Sequence, residues 1–309
     1  MHPGIARSAP QRSLGILAVS ATTIAWGLVP LILKQTRMPT MAFASYRLWF
    51  GVLVYALALL ATGRRLRWPT IRSCALGGVF FAADISLSFS AFKLTTVANA
   101  TIIGALAPIF IALGAARWFG ERFERRDAGF VLASFLGVAL VAAGSSGSAS
   151  WSPLGDLFAA LGVLTWTSYW LFSKRARLTT PTLEYMATVM LVAAVCVTSV
   201  TAAAGVSLSP PRGMDWVWVW LLVLIPGATG HMLVAWSHRH VEAWIASLVT
   251  QGQPVVGSLA AWIVLGESLT LPTIIGGLVV LAATAVIAVR EGRRQPDAAE
   301  PLAPDPAGG

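Results

Sequence analysis

Long apolar runs, each about as long as a bilayer-spanning helix, follow one another along almost the whole chain. A helix that crosses a membrane needs about 20 mostly apolar residues. The runs of roughly this length are residues 14–33, 39–61, 73–92, 94–116, 128–144, 157–173, 185–205, 216–237, 243–265 and 271–288. The pattern therefore predicts an all-α integral membrane protein with ten transmembrane helices.

The composition excludes a water-soluble protein. Only 11% of the 309 residues are charged and 56% are hydrophobic, whereas a soluble domain carries about 25% charged residues. The net charge of +9 would suit nucleic acid only if the basic residues formed one exposed face with aromatic residues between them. They lie instead in short clusters between apolar runs, so we expect the lipid bilayer, and no nucleic acid, as a partner.

Neither a metal site nor a cofactor is expected. Cys74 and Cys196 lie inside apolar runs, whereas disulfide frameworks and zinc sites place cysteines at characteristic spacings. Both cysteines are best interpreted as small packing residues. No His-Glu-x-x-His run or paired Asp motif points to an intramembrane enzyme, so a function other than catalysis is expected.

Lysine and arginine residues are divided unevenly between the two sets of loops. If the N-terminus is cytoplasmic, seventeen of them fall on cytoplasmic segments. The outer loops then hold Lys34, Arg37, Lys93 and Arg212. Because cytoplasmic loops carry the excess of these residues, both termini are predicted to be cytoplasmic, in a bacterial-type inner membrane.

The chain resembles itself at displacements of 140 and 146 residues. These displacements align rarer residues of the first half with the same residues of the second half, in the same order. The matched pairs are Trp26 with Trp166, Lys34 with Lys174, Pro108 with Pro254, and Glu121 with Glu267. We therefore predict two five-helix repeats, residues 1–150 and 151–290, followed by a disordered cytoplasmic tail at residues 291–309.

An odd number of helices in each repeat requires the second copy to be inserted upside down. The loop after Gly120 carries Arg122, Arg125 and Arg126, whereas the equivalent loop after Gly266 has neither Lys nor Arg. The charge difference places the two loops on opposite sides of the membrane. Inverted repeats are typical of secondary transporters, which bind substrate near the midplane between the halves.

The doubled pattern resembles the EamA-type repeat of the drug/metabolite transporter superfamily. Its elements are Trp in the first helix, Lys or Arg before the fourth, Pro within the fourth and Gly-Glu at its end, and the resemblance covers about residues 14–290. It implies a ten-helix secondary transporter whose helices one to four and six to nine surround a central cavity, with helices five and ten peripheral. Within the superfamily, the chain most resembles bacterial amino-acid exporters, notably the YddG-like aromatic amino-acid exporters.

Pro108 and Pro254 lie in the middle of the fourth and ninth predicted helices. Proline kinks a helix and frees the carbonyl four residues earlier, here those of Gly104 and Thr250. Interruptions at matching positions of two halves point to a transport site. The alternative is that the kinks only shape the packing of the helices.

Asp84 lies at the centre of the third predicted helix, with Ser88 one turn later and Phe81 about one turn earlier. A carboxylate at this depth is costly, so it should face a cavity or a partner. Three roles are open, namely recognition of a substrate ammonium group, titration of a proton, and an ion pair with Arg47. Arg47 lies about 12 Å into the second helix, deep enough to meet Asp84, and a structural role is favoured for it.

Other polar and aromatic residues within the spans are candidates for substrate binding. His231 could exchange a proton near neutral pH, or it could be a hydrogen-bonded packing residue. The side-chain amides offer donors and acceptors without charge, and the aromatic rings could stack on a substrate or hold an ammonium group, although each ring could equally be core packing. The amides and rings are those of Asn99, Gln251, Gln253, Trp26, Tyr46, Trp166 and Tyr169.

Glu121 and Glu267 are interpreted as structural. Each follows a glycine at a helix end, close to the start of the next helix, where a carboxylate favours the positive end of the helix dipole.

These features favour export of small metabolites, with amino acids as the leading class, by alternating access at a midplane site. The alternatives are efflux or uptake of another metabolite or a drug, an intramembrane enzyme and a receptor. Residues 14–33 contain no acidic residue, which weakens the hypothesis of a cationic drug. The expected partners are a small-molecule substrate and the bilayer, and both a monomer and a homodimer are compatible with the sequence.

Overall fold

The computed structural model describes residues 9–121, 123–145, 152–266 and 268–293. Within these ranges all regular secondary structure is helical, which confirms the predicted all-α class. The elements are α1 Ala9–Gly27, α2 Val29–Gln35, α3 Thr40–Ala61, α4 Trp68–Leu94, α5 Val97–Gly104, α6 Ala107–Phe119, α7 Arg125–Ser145, α8 Pro153–Arg177, α9 Thr182–Ala203, α10 Asp215–Leu222, the π-helix Val223–Gly230, α11 His231–Ser237, α12 Ala243–Thr250, α13 Gln253–Leu265 and α14 Leu271–Arg293.

Nine of the predicted spans coincide with stretches of the described residues that are long and apolar enough to cross a membrane. The remaining span is α8, whose 25 residues extend over about 38 Å at 1.5 Å per residue. Its mean hydropathy is lowered by its central residues 165–170, Thr-Trp-Thr-Ser-Tyr-Trp. The helix is therefore long enough to cross a bilayer while carrying polar and aromatic side chains at mid-length.

Four of the spans are interrupted in the structure. The sequence predicted a kink in only two of these four. The breaks fall between α1 and α2, between α5 and α6, and between α12 and α13, while a π-helix separates α10 from α11. A proline lies at each break. Proline disrupts a helix because it lacks an N–H group and clashes with the preceding turn. These prolines are Pro30, Pro108, Pro226 and Pro254. The breaks at Pro30 and Pro226 were not predicted.

The predicted fourth span, residues 94–116, begins too early. Leu94 is the last residue of α4, and two threonines separate it from α5. The hydroxyl of Thr96 accepts a hydrogen bond from the backbone N–H of Asn99 at 3.1 Å, which is a usual way to begin a helix. A polar cap inside an apolar run therefore sets this boundary.

Helix α14 continues to Arg293, three residues into the predicted tail. Within this helix the only proline is Pro272, in the first turn, where proline is tolerated. The rest of the predicted tail lies outside the described residues, as do Glu267 and the predicted boundary between the repeats at residue 150.

The helices pack around α1, α4 and α8. Helix α4 lies against α8 and α9, and α3 lies against α9. Helix α1 contacts the π-helix, α11, α12 and α13, so it borders most of the interrupted segments. Helices α7 and α14 pack mainly against each other.

Glycines let α7 and α14 approach closely. A β-carbon added to Gly276 would clash with the carbonyl oxygen of Gly137 and would lie 2.8 Å from the backbone nitrogen of Val141. Backbone atoms cannot turn aside as a flexible side chain can. Close helix contacts at small residues are common in membrane proteins, where van der Waals packing drives association.

Replacing Gly276 with Val should therefore push α7 and α14 apart and lower the free energy of unfolding. Overpacking costs about 1–3 kcal/mol, and contacts with backbone place this site at the upper end. Gly129→Val on α7 is the matched control, because an added β-carbon there meets no atom within 4 Å. Thermal unfolding in detergent compares the variants, and equal stability of the two would contradict the close packing.

Candidate functional site

Side chains from α1 and α3 hydrogen-bond the carbonyl groups of the π-helix. In a bilayer, backbone polar groups must find their partners within the protein, and Pro226 prevents a regular helical ladder here. The bonds run from Trp26 Nε1 to the oxygen of Pro226 at 3.0 Å, from Thr22 Oγ1 to that of Gly230 at 3.0 Å, and from the Tyr55 hydroxyl to that of Ala228 at 2.8 Å. The interrupted span is thus held by two other helices.

A further side-chain bond joins the two spans broken at Pro108 and Pro254. Gln251 Nε2 donates to the carbonyl oxygen of Ala105 at 2.9 Å. Ala105 lies between α5 and α6, and Gln251 lies between α12 and α13. The bonded carbonyl is therefore next to that of Gly104, which the sequence predicts to be freed. The two bonded residues are separated by 146 positions, the displacement of the internal repeat.

Five aromatic rings from four helices form a closed cluster, which we call the ring cluster. It comprises Trp26, Phe81, Trp166, Tyr169 and His231. The ring centroid of Trp26 lies 5.5 Å from that of Trp166 and 4.8 Å from that of His231. Phe81 lies 4.7 Å from His231 and 4.9 Å from Tyr169, and Trp166 lies 5.4 Å from Tyr169. The structure thus brings together five of the predicted substrate-binding residues.

His231 is hydrogen-bonded on both ring nitrogens. Arg47 Nη2 lies 3.2 Å from Nε2, and the Tyr169 hydroxyl lies 3.4 Å from Nδ1. A guanidinium group only donates, so Nε2 accepts and the ring is neutral with its proton on Nδ1. That proton is directed to the oxygen of Tyr169. The geometry fits a hydrogen-bonded His231 whose neutral form positions Arg47.

Asp84 lies beside the ring cluster, one turn from Phe81 on α4. The Ser88 hydroxyl donates to Asp84 Oδ1 at 3.1 Å, and Gly162 on α8 leaves room next to the carboxylate. Among the described residues, no ion pair joins Asp84 to Arg47. The direct pair considered from the sequence is therefore absent in this conformation, and Arg47 bonds His231 instead.

Like Asp84, Ser88 and Gln251, three further predicted residues make no ring contact or hydrogen bond with the ring cluster in the described part of the chain. The Tyr46 hydroxyl donates to the carbonyl oxygen of Leu208 at 2.9 Å. Asn99 Nδ2 donates to Thr95 Oγ1 at 3.3 Å. Gln253 is the first residue of α13 and lies two residues after Gln251 in the chain.

Sequence reasoning missed Tyr55 and Thr22. Tyr55 lies two helical turns beyond Arg47 on α3, on roughly the same side of the helix, and is only 2% exposed. A hydroxyl at that depth needs a partner, which is a signal that could have found it. Thr22 resembles many other hydroxyl residues in membrane helices, so no comparable signal marks it.

At one end of the bundle, a buried ion pair fastens α8 to the start of α12. We call Glu121, Lys174, Val241 and Ala243 the Glu121 network. Glu121 pairs with Lys174, and its carboxylate accepts from the backbone N–H of Ala243 at 2.9 and 3.0 Å. Lys174 also donates to the carbonyl oxygen of Val241 at 3.0 Å. The side chains of Lys174 and Glu121 are only 1% and 6% exposed, so the pair is buried where α6, α8 and α12 meet at this end of the bundle.

Further polar contacts surround the Glu121 network. Trp170 Nε1 donates to the carbonyl oxygen of Ala243 at 3.1 Å, and Ser173 Oγ lies 2.9 Å from His238 Nδ1. Burial lowers the pKa of His238 well below its usual range, and the charges of Lys174 and Arg177 lower it further. His238 is therefore neutral at physiological pH and adds no positive charge to the network.

The helices are long enough to cross a membrane, and four of the spans that they form are interrupted around a polar, aromatic centre. These features are typical of a multi-pass membrane transporter. The residues that the structure describes contain no group of three or more His, Cys, Asp or Glu that could hold a metal ion. The chain belongs to the EamA-like transporter family, whose sequence profile matches residues 13–143 and again residues 153–289. This confirms the family resemblance predicted from the doubled motifs.

Two relatives are similar over nearly the full chain. An uncharacterized transporter of Archaeoglobus fulgidus is 24% identical over 284 residues, which cover 90% of this chain and 97% of that protein. A protein of known crystal structure is 21% identical and superposes with a TM-score of 0.78, over 90% of this chain and 98% of its own. The second likeness shows that the two proteins share a fold.

Replacing Lys174 with Met should strongly destabilise the protein, because it leaves the Glu121 carboxylate buried without a counter-ion. Removing one partner of a buried ion pair costs about 3–5 kcal/mol. Adding Glu121→Gln to the same chain should recover part of the loss, because the amide is neutral. Unfolding in detergent, followed by circular dichroism, measures both changes.

Arg126→Met is the control for this experiment. Its partner Glu124 is 41% exposed and Arg126 itself is 64% exposed, and an exposed pair contributes at most about 1 kcal/mol. Equal losses in Lys174→Met and Arg126→Met would show that the buried pair does not hold this end of the bundle.

Proposed function

We propose that this protein is a secondary transporter that exports small metabolites, with amino acids as the leading substrate class. It does so by alternating access at a midplane site between two inverted five-helix repeats. The observation that carries this proposal is the ring cluster, with Asp84 and Arg47 at its edges and interrupted helices around it. Paired helix interruptions near the bilayer midplane are the usual setting of substrate sites in secondary transporters.

The chemistry of the cluster fits an amphiphilic zwitterion. The carboxyl group of Asp84 has a hydroxyl partner in Ser88 and suits a substrate ammonium group. Arg47 offers a guanidinium group, which suits a substrate carboxylate. The faces of Trp26 and Trp166 suit the apolar or aromatic part of the substrate.

Alternating access requires the Glu121 network to open. By the distribution of Lys and Arg, this end of the bundle faces the cytoplasm, so an exported substrate would enter there. Opening would separate Glu121 and Lys174 from each other and from the start of α12. Release of a closed end on one side is the expected step in transporters built from two repeats.

Counterflow in proteoliposomes tests this function. Vesicles loaded with an unlabelled compound should accumulate the same labelled compound, and we expect this for zwitterionic amino acids, most strongly for those with aromatic side chains. Accumulation of sugars or nucleosides alone would show that the protein is a transporter but that amino acids are not its substrates. No counterflow with any compound of the panel would contradict the proposal.

Changing Asp84 to Asn should lower the affinity for zwitterionic amino acids at least tenfold, because the substrate ammonium loses its counter-charge. Ser88→Ala should have a smaller effect in the same direction. Ser86→Ala is the matched control, because its hydroxyl bonds the carbonyl oxygen of Ala82 on its own helix. The concentration dependence of counterflow at several pH values measures affinity. A flattened pH dependence with unchanged affinity would instead assign Asp84 to proton coupling.

The inverted arrangement predicts that the loops after Gly120 and Gly266 face opposite sides of the membrane. Single cysteines replace Arg125 or Ser268, both of which are exposed, in a chain whose two native cysteines are changed to Ala. An impermeant thiol reagent added to intact cells should label only the cysteine at position 268. Labelling at position 125 in intact cells, or protection at 268, would contradict the inverted repeat.

A further inference from the structure

A groove of about 400 Å³ opens where the loop between α3 and α4 meets the start of α9. Its lining includes Arg64, Arg65, Arg67, Thr70 and Glu184. The volume falls in the range of small-molecule sites, roughly 300–1,000 Å³. None of these residues belongs to the ring cluster or to the Glu121 network, so the groove is a separate feature.

The groove has an excess of positive charge. Arg64 Nη1 lies 3.2 and 3.4 Å from the carboxylate oxygens of Glu184, so this one acidic group is already paired. Arg65 and Arg67 are exposed, and their side chains have no ion pair or hydrogen bond within the part of the chain that the structure describes. Two guanidinium groups therefore remain to bind an anion.

The backbone holds this loop in a defined turn. Gly63 has a φ of +65°, a conformation that glycine adopts without steric cost. The N–H groups of Gly63 and Arg64 bond the carbonyl oxygens of Leu60 and Leu59 at 3.1 and 2.9 Å. The arginines that follow are thus presented from a fixed helix end.

Apolar surface adjoins the arginines on both sides along the chain. Leu60, near the end of α3, is 75% exposed, and Trp68, at the start of α4, is 72% exposed. Large apolar side chains this exposed at the ends of membrane-length helices suit contact with lipid, and tryptophan favours the depth of the lipid headgroups. The groove therefore lies where the acyl chains meet the headgroup phosphates.

We propose that this groove binds the phosphate group of an anionic phospholipid. Arg65 and Arg67 hold the phosphate oxygens, since guanidinium groups match phosphate in charge and geometry. The acyl chains lie on the apolar surface beside Leu60 and Trp68, which a free phosphate ion would not use. This site does not depend on the transported substrate.

Native mass spectrometry of the detergent-solubilised full chain tests the proposal, with phosphatidylglycerol and phosphatidylcholine as probes. Phosphatidylglycerol should bind more tightly and should raise the melting temperature. Each exposed arginine should contribute about fivefold to the affinity, so Arg65→Gln with Arg67→Gln should weaken binding by roughly 25-fold. Arg125→Gln with Arg126→Gln is the control, because it removes the same charge from exposed positions outside the groove.

Each contrary outcome overturns the proposal in a different way. Equal binding of the two lipids would show that the groove does not recognise an anionic headgroup. Equal losses in the two double variants, or no loss in either, would show that any lipid preference is not located in the groove. Inorganic phosphate that binds as tightly as phosphatidylglycerol would assign the arginines to a free anion. The comparison of the two lipids and of inorganic phosphate uses the unchanged protein, so it tests the proposal even if a double variant folds poorly.

Discussion

The architecture depends on how interrupted helices satisfy their backbone inside a bilayer. A backbone carbonyl group at an interruption of a helix has no water to bond there, so another part of the protein must supply the donor. Trp26 donates to the carbonyl oxygen of Pro226 within the π-helix. Gln251 donates to the carbonyl oxygen of Ala105, which lies between α5 and α6 and next to Gly104. These bonds connect the half matched by residues 13–143 with the half matched by residues 153–289. The bonds at the interruptions therefore join the two halves around the polar centre.

The spans could be predicted because hydrophobic length is written directly in the sequence. The breaks at Pro108 and Pro254 were found because the repeat pairs them, and the same criterion missed the other two. At the displacement of 140, Pro30 aligns with Trp170, and at 146, Pro226 aligns with Phe80. A proline without a counterpart in the other repeat resembles an ordinary kink until the structure shows which side chains bond the carbonyl groups around it.

The sequence predicted which residues belong to the candidate site better than it predicted which of them contact each other. Depth along a helix placed Arg47 and Asp84 at similar levels, but it does not give the direction in which a side chain points. His231 takes the position opposite Arg47, which leaves Asp84 with Ser88. The role of Glu121 as a partner of Lys174 was also out of reach, because the two residues are 53 positions apart and only packing brings them together.

Cross-linking the Glu121 network tests most directly whether the two halves must separate during transport. Glu121→Cys and Lys174→Cys are combined in a chain in which Cys74 and Cys196 are changed to Ala. A short, reducible bifunctional thiol reagent then links the two positions, and the single Glu121→Cys variant controls for modification alone. We expect the link to stop counterflow and reduction to restore it. Full counterflow in the linked protein would contradict alternating access through this end of the bundle.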